Sequence, residues 1–191
     1  MGMEAVKKRL ILVGNKPACR AGLPTLVDSF DYVLRISRMN NLGDTGNRID
    51  GIYLEANRVF KYVFKGGENR EEIKRAKNIF MHRNWYDNFQ EWNEYLTEEQ
   101  YYSVEVIDHE AAIKDIGFER PTSAVLMLAY LLNSPWKDKF HIHITGLDVE
   151  NRAGLIDNNP LWGYHNGAGK YEEEYLKRMI RNGIIERIED E

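Results

Sequence analysis

Apolar positions in this chain come in short runs that stop at glycine, asparagine, aspartate or serine. The stretch "RLILVG" (9–14) is an aliphatic run closed by Gly14, a pattern that predicts a buried strand. "YVLRIS" (32–37), "DGIYLEA" (50–56), "KNIFMH" (77–82), "YSVEVID" (102–108) and "FHIHITGLD" (140–148) predict further strands, with "IIERIE" (184–189) closing the sheet. Between them, "REEIKRA" (70–76), "HEAAIKDIG" (109–117), "RPTSAVLMLAYLLNS" (120–134) and "GKYEEEYLKRMIRNG" (169–183) have helical periodicity. The segment 84–102 carries Trp85, Phe89, Trp92 and Tyr95 at helical spacing, which suits a core face or a groove wall. Strands alternating with helices predict an α/β sandwich with a mainly parallel sheet. The stretch from Asn151 to Gly169 lacks periodicity and holds four glycines among Asn, Asp and Pro. A loop of that length in a compact domain is usually a lid or a binding loop.

The length of 191 residues suits a single domain spanning 1–191. Apolar residues make up 43% and charged residues 29%, so a core can form without cross-links. The lone Cys19 excludes an intrachain disulfide and a cysteine-built zinc site, and fits a reducing compartment. The net charge of -4 is spread along the chain, with no basic field for nucleic acid. Leu10–Val13 is too short for a signal-peptide core or a transmembrane segment. The expected location is cytoplasmic, with membrane-peripheral work open through a partner or a lipid-linked substrate.

Ligands of open α/β sheets sit at the carboxyl ends of the strands. That rule selects Gly14, Asn15 and Lys16 after the first strand, Ser37 and Arg38 after the second, and Gly146 and Asp148 after "FHIHIT". Glycine lets a ligand approach the backbone, and an asparagine amide can read a base or a ribose. A plain βα turn would explain Gly14-Asn15 as well. The segment is neither a Walker loop nor a GxGxxG turn. Pro121 just inside a helix start, with Thr122, Ser123 and Arg120 beside it, suits an anion at the helix N-terminus, or simple capping. His165, before the last helix, has the chemistry of a general base or is a surface histidine. His141 and His143 share one strand face but have no third metal ligand in view. Glu172–Glu174 complement the start of the last helix, and Lys177, Arg178 and Arg181 its end. Arg35, charged within an apolar strand, is expected to be a buried partner of Asp28 or Asp31.

The order of these segments resembles the sialyltransferases. "LVGNKPACRAG…VDSFDYVLRIS" is similar to their large sialyl motif, VGN with a glycine-rich turn, then DSFD or DSHD, then V-x-R-x-N. "RPTSAVLMLAYLL" resembles the small sialyl motif, "FHIHITGLD" the strand and Gly-x-Asp that follow it in bacterial members, and "YHNGAGKYEEEYLKRMIRNGII" the late histidine motif. Ser37 stands where the large motif has asparagine, Ala124 where the small motif has glycine, and Lys16 where a small residue is usual.

The resemblance implies a Rossmann-like core and an inverting sugar transfer from a CMP-sugar donor to a glycan or lipid-linked acceptor hydroxyl. No cofactor and no metal ion is implied, and the chain has no Asp-x-Asp motif. Carried over by position, Gly14, Asn15, Lys16, Ser37, Gly146 and Asp148 would line the nucleotide, with Arg120, Thr122 and Ser123 near donor phosphate or carboxylate. His165 would deprotonate the acceptor, and Tyr164 would assist the leaving phosphate. Two alternatives stand beside this: a nucleotide-binding protein of the same fold without transferase activity, and an unrelated α/β domain with a protein partner.

Overall fold

Aliphatic and β-branched residues fill consecutive positions of the central strands, so both faces of the sheet must be covered. The computed structural model describes residues 7–56, 69–157 and 159–190. Its strands are β1 (Lys8–Val13), β2 (Tyr32–Ile36), β3 (Gly51–Tyr53), β4 (Asn78–His82), β5 (Glu105–Ile107), β6 (Phe140–Thr145) and β7 (Ile185–Arg187). They form one 7-stranded sheet in the order β5-β4-β3-β2-β1-β6-β7. Every pairing is parallel. The expected α/β, Rossmann-like architecture is therefore the observed one.

Side chains alternate between two helical layers. Leu10, Leu12, Leu34, Ile36, Tyr53, Phe80, Ile142 and Ile144 share a core with residues of α6 (His109–Ile116), α7 (Ser123–Asn133) and α10 (Ala168–Arg181). Ile11, Val13 and Val33 point the other way, onto Leu23 and Val27 of α1 (Leu23–Asp28). Ile52, Leu54, Ile79 and Met81 continue that second face, covered by Ile73 of α2 (Arg70–Arg75) and the aromatic segment. Helix α7 is apolar on all sides and buries seven residues between Ala124 and Leu131. Its N-cap is Thr122, so Pro121 precedes the helix rather than opening it.

Two expected elements differ. The aromatic segment is not one helix but three short ones, α3 (Arg83–Asp87), α4 (Trp92–Tyr95) and α5 (Glu98–Tyr102). Thr97 and Gln100 form a capping box, with Gln100 N–H on the threonine hydroxyl at 3.2 Å and Thr97 N–H on the Gln100 side chain at 2.9 Å. That box starts a new helix and sets its axis. Phe89 and Tyr95 still reach the core, and Trp92 stacks on Tyr101 at 4.3 Å between ring centres. The stretch 151–169 contains the short helix α9 (Arg152–Ile156) and a 3₁₀ turn over Pro160–His165, and α8 (Trp136–Lys139) precedes β6.

The chain builds outward from β1 to β5, then returns to the opposite side of β1 for β6 and β7. The switch point lies between β1 and β6, where Gly14 and Gly146 meet. Gly14 N–H donates to the Thr145 carbonyl at 2.9 Å, and Lys16 N–H to the Gly146 carbonyl at 2.9 Å. A Cβ on Gly14 would lie 2.2 Å from the Gly146 oxygen and 2.7 Å from Leu147 Cγ. The missing side chain at Gly14 thus serves close packing of two strand ends, where ligand approach was the expected reason. Gly146 adopts φ +65, a conformation that favours glycine. Replacing Gly14 by alanine should overpack this crossing and destabilise the protein by about 1–3 kcal/mol, read as a lower denaturation midpoint. A midpoint equal to wild type would mean that the two turns separate freely.

Candidate functional site

The turn after β1 is held from below by a chain of buried polar groups. Arg35 on β2 is 1% exposed. Its guanidinium donates to Thr45 Oγ1 at 2.9 Å and to the carbonyls of Thr45, Gly46 and Arg48 at 2.8, 2.9 and 2.9 Å. Thr45 Oγ1 in turn donates to the Asn41 carbonyl at 3.0 Å. Asn41 Nδ2 then reaches the carbonyls of Gly14 at 2.9 Å and Lys16 at 2.8 Å. Arg35 is buried as expected, but its hydrogen bonds go to loop carbonyls and the Thr45 hydroxyl. Asp28 acts on it only through charge, and instead caps the N–H groups of Asn47 and Arg48. Burial lowers the Arg35 pKa to about 10, which still leaves it charged at neutral pH.

At the switch point itself, the Asn15 side-chain oxygen is buried and, among the described residues, accepts no hydrogen bond. A buried acceptor without a donor is costly and is a natural place for a ligand N–H or O–H. Lys16 is anchored rather than poised, with Nζ 3.4 Å from Asp148 and 3.2 Å from Asp190. Asp148 is therefore beside the turn after β1, as the carboxyl-end rule required. Its partner there is Lys16.

The wall toward β3 holds a residue that sequence reasoning passed over. Glu55 follows β3, and its N–H lies 3.4 Å from the Ser37 hydroxyl. Its carboxyl lies near enough to Ser123 at the start of α7, and to His165 and Arg38, for each to pull its pKa down. The residue retains some solvent contact, yet its carboxyl is enclosed. Lost hydration raises its pKa above the ordinary carboxylate range, against the opposing pull of Ser123, His165 and Arg38. The Tyr53 hydroxyl is likewise raised, first by burial and then by Glu55 and Tyr164. A strongly perturbed carboxyl in a cleft is a signature of functional sites. The rule that selected Gly14, Ser37 and Gly146 would have found Glu55 if applied to the end of the third strand.

His165 ends the 3₁₀ turn, with Nδ1 2.9 Å from the Arg120 carbonyl. A carbonyl only accepts, so Nδ1 carries the proton, and Nε2 of the neutral ring holds a lone pair. The Tyr164 ring packs edge-on against His165 at 5.1 Å, and the Arg120 guanidinium lies 5.6 Å from the centre of that ring. Arg120, Ser123, Glu55, Tyr164 and His165 thus gather at the α7 N-terminus. Arg120 also borders a groove of about 780 Å³ lined by Ile113, Lys114 and Phe118.

Thr122 does not face this group. Its hydroxyl donates to Glu172 at 3.1 Å, its N–H also goes to Glu172, and it accepts from Arg152 at 3.0 Å. Glu172 is 0% exposed and pairs with Arg152 Nε at 2.9 Å. Glu172 therefore leaves the dipole role expected of it. Helix α10 has no acidic residue in its first turn, and Glu172 binds α7 and α9 to α10 instead. His143 is also structural. It packs on Phe30 at 4.9 Å and its Nδ1 is 3.4 Å from Glu186, while His141 is exposed. Among the described residues, no group of three or more His, Cys, Asp or Glu is arranged to hold a metal ion. Nor is any described helix long and apolar enough to cross a membrane.

No protein-family model matches the sequence, and no curated protein matches it. Among solved structures, the chain is similar to the sialyltransferase CstII from Campylobacter jejuni in complex with a substrate analogue, CMP-3FNeuAc. The TM-score is 0.50 at 16% identity, over 96% of this chain and 81% of that one. The architecture is a sialyltransferase-like α/β fold. At that identity the likeness speaks for the scaffold alone, and the residues at the strand ends must carry the chemistry.

Glu55 supplies a test of how the site is built. A carboxyl whose pKa is higher folded than unfolded binds protons more readily in the folded state. Its ionisation costs stability above the folded pKa and nothing below the unfolded value of about 4.3. Glu55→Gln should therefore melt higher than wild type at neutral pH and lose that advantage below about pH 4. A variant that melts lower at neutral pH would show that attraction to Arg38 and His165 outweighs lost hydration.

Proposed function

We propose that this protein is a glycosyltransferase of the sialyltransferase type, moving a sugar from a CMP-sugar donor to an acceptor hydroxyl with inversion. The observation that carries the proposal is the contact that fixes the His165 ring. Its Nδ1–H is tied to the Arg120 carbonyl at 2.9 Å, which leaves Nε2 as a proton acceptor beside Tyr164 and the α7 N-terminus. The unpartnered Asn15 oxygen at the switch point supports a nucleotide there, and the sialyltransferase-like scaffold supports the reaction class.

In this reaction Nε2 of His165 takes the proton of the acceptor hydroxyl as its oxygen attacks the anomeric carbon. The bond from that carbon to the phosphate oxygen breaks on the opposite face, and CMP departs with the bonding pair. Tyr164 offers an O–H to the departing phosphate, and the neighbouring Arg120 offers positive charge. Asn15 and the Gly14–Lys16 turn hold the cytidine nucleotide, with Ser37, Gly146 and Asp148 as the surrounding wall. The acceptor enters over the groove at Phe118 and Arg120, which shares Arg120 with the base. The absence of an Asp-x-Asp motif supports donor binding without a divalent ion.

Calorimetric titration tests the donor. CMP should bind with and without chelator, and UDP and GDP should not. Asn15→Ala should weaken CMP binding by about 1–3 kcal/mol, because one buried group loses its partner. Binding of UDP or GDP in preference to CMP, or a requirement for magnesium, would overturn the donor assignment. His165→Ala should lower transfer to a glycan acceptor by about 10²–10⁴-fold and leave CMP affinity close to wild type. Transfer at the wild-type rate would remove His165 as the base. CMP binding without transfer to any acceptor in a glycan panel would favour the nucleotide-binding alternative.

A further inference from the structure

The segment that follows β7 crosses the loop that follows β1. Ile188 N–H donates to the Ile144 carbonyl at 2.8 Å, which extends the pairing of β7 with β6 past Arg187. The Ile188 side chain, like those of Ala18 and Leu26, packs on the core under α1. Two residues on, the Asp190 carbonyl accepts from Cys19 N–H at 3.0 Å and from Arg20 N–H at 3.2 Å. The Glu189 carbonyl accepts from the Arg20 guanidinium at 3.1 Å. The Asp190 carboxylate turns to Lys16, with Oδ1 3.2 Å from Nζ, and its side chain is 3% exposed.

Loop 16–20 therefore presents two backbone N–H groups, an ammonium and a guanidinium to one short acidic segment. These are the donors that an oxyanion takes from a protein. Asp190 meets them in two ways: its carbonyl holds the loop backbone, and its carboxylate holds a side-chain cation. The Lys16 backbone is fixed independently, by its N–H on the Gly146 carbonyl and by Asn41 Nδ2 on its own carbonyl. The direction of its side chain answers to the carboxylates of Asp190 and Asp148. Two carboxylates on one ammonium leave this cluster negative, at the strand end where Asn15 lies. A phosphate reaching for Lys16 meets that charge, and like charges set against each other oppose binding.

Resting on the CMP-sugar reading above, we infer that Asp190 is the resting counter-ion of Lys16 and an internal competitor of the donor phosphate. Rotation of the Asp190 side chain releases the ammonium to the phosphate, while the Asp190 carbonyl keeps residues 19 and 20 in place. The carboxylate returns to Lys16 when CMP departs. Asp190 thus sets how tightly the nucleotide is held and takes no part at the reacting carbon.

The test is calorimetry of CMP, and of cytidine, which lacks the phosphate, on wild type, Asp190→Asn and Lys16→Met. Asp190→Asn retains the backbone carbonyl and removes the competing charge. It should bind CMP roughly tenfold more tightly than wild type, and cytidine about as wild type does. Asp190→Ser, which also keeps the carbonyl, stands in if the asparagine variant fails to fold. Lys16→Met should bind CMP roughly tenfold more weakly, with cytidine again little changed. An equal loss of CMP and cytidine affinity in the Asp190 variant would make the residue a brace of the loop only, and would overturn the inference. So would unchanged or weaker CMP binding in that variant, or CMP affinity that survives Lys16→Met. Each of these outcomes leaves the CMP-sugar reading standing. Failure of wild type to bind either compound overturns that reading, and the inference with it.

Discussion

A single buried cation organises the switch point. Arg35 sits in the middle of the sheet, where an unpaired charge would be prohibitive, and it survives because the loop 39–48 wraps around it. The carbonyls of Thr45, Gly46 and Arg48 turn inward to meet its donors. That wrapping carries Asn41 under the end of β1, where one amide holds the carbonyls of both Gly14 and Lys16. The geometry of the first strand end is thus set by a residue on the second strand, through Thr45. Removing any member would leave buried carbonyls without donors, which is more damaging than the loss of one hydrogen bond.

A second buried charge does comparable work on the far side of the cleft. Glu172 and Arg152 join α10 and α9, and through Thr122 they fix the N-cap of α7. The position of the α7 N-terminus, and with it Ser123 and the neighbouring Arg120 carbonyl, is therefore tied to the last helix. The Asp157 carboxylate adds a further tie, accepting from the N–H groups of Gly167 and Gly169 at 3.0 Å each. The aperiodic stretch 151–169 is in this way an ordered frame for His165. A base positioned by backbone keeps one tautomer, which a mobile loop histidine would not.

Near these two braces lies a carboxyl that burial disfavours. Glu55 loses hydration and recovers only part of it from Ser123, Arg38 and His165. Buried carboxyls raised in pKa persist where the environment serves something other than stability.

The strands, the apolar α7, the amphipathic α10 and the Gly14-Asn15 turn were legible along the chain, because periodicity and turn chemistry are local. So was the carboxyl-end placement of Gly14, Ser37, Gly146 and Asp148, which follows from alternating strands and helices alone. The break of segment 84–102 into three helices was missed although its signal, Thr97 followed by Gln100, is present in sequence. What pattern could not reach were the partners. Arg35 against Thr45, Lys16 between Asp148 and Asp190, and Thr122 on Glu172 are pairings across the fold. They depend on strand order and on which face each side chain takes. A charged residue in sequence announces that a partner is needed, but only packing decides which group supplies it. Tertiary structure therefore made Thr122 a brace between helices and brought Glu55 to the wall of the cleft.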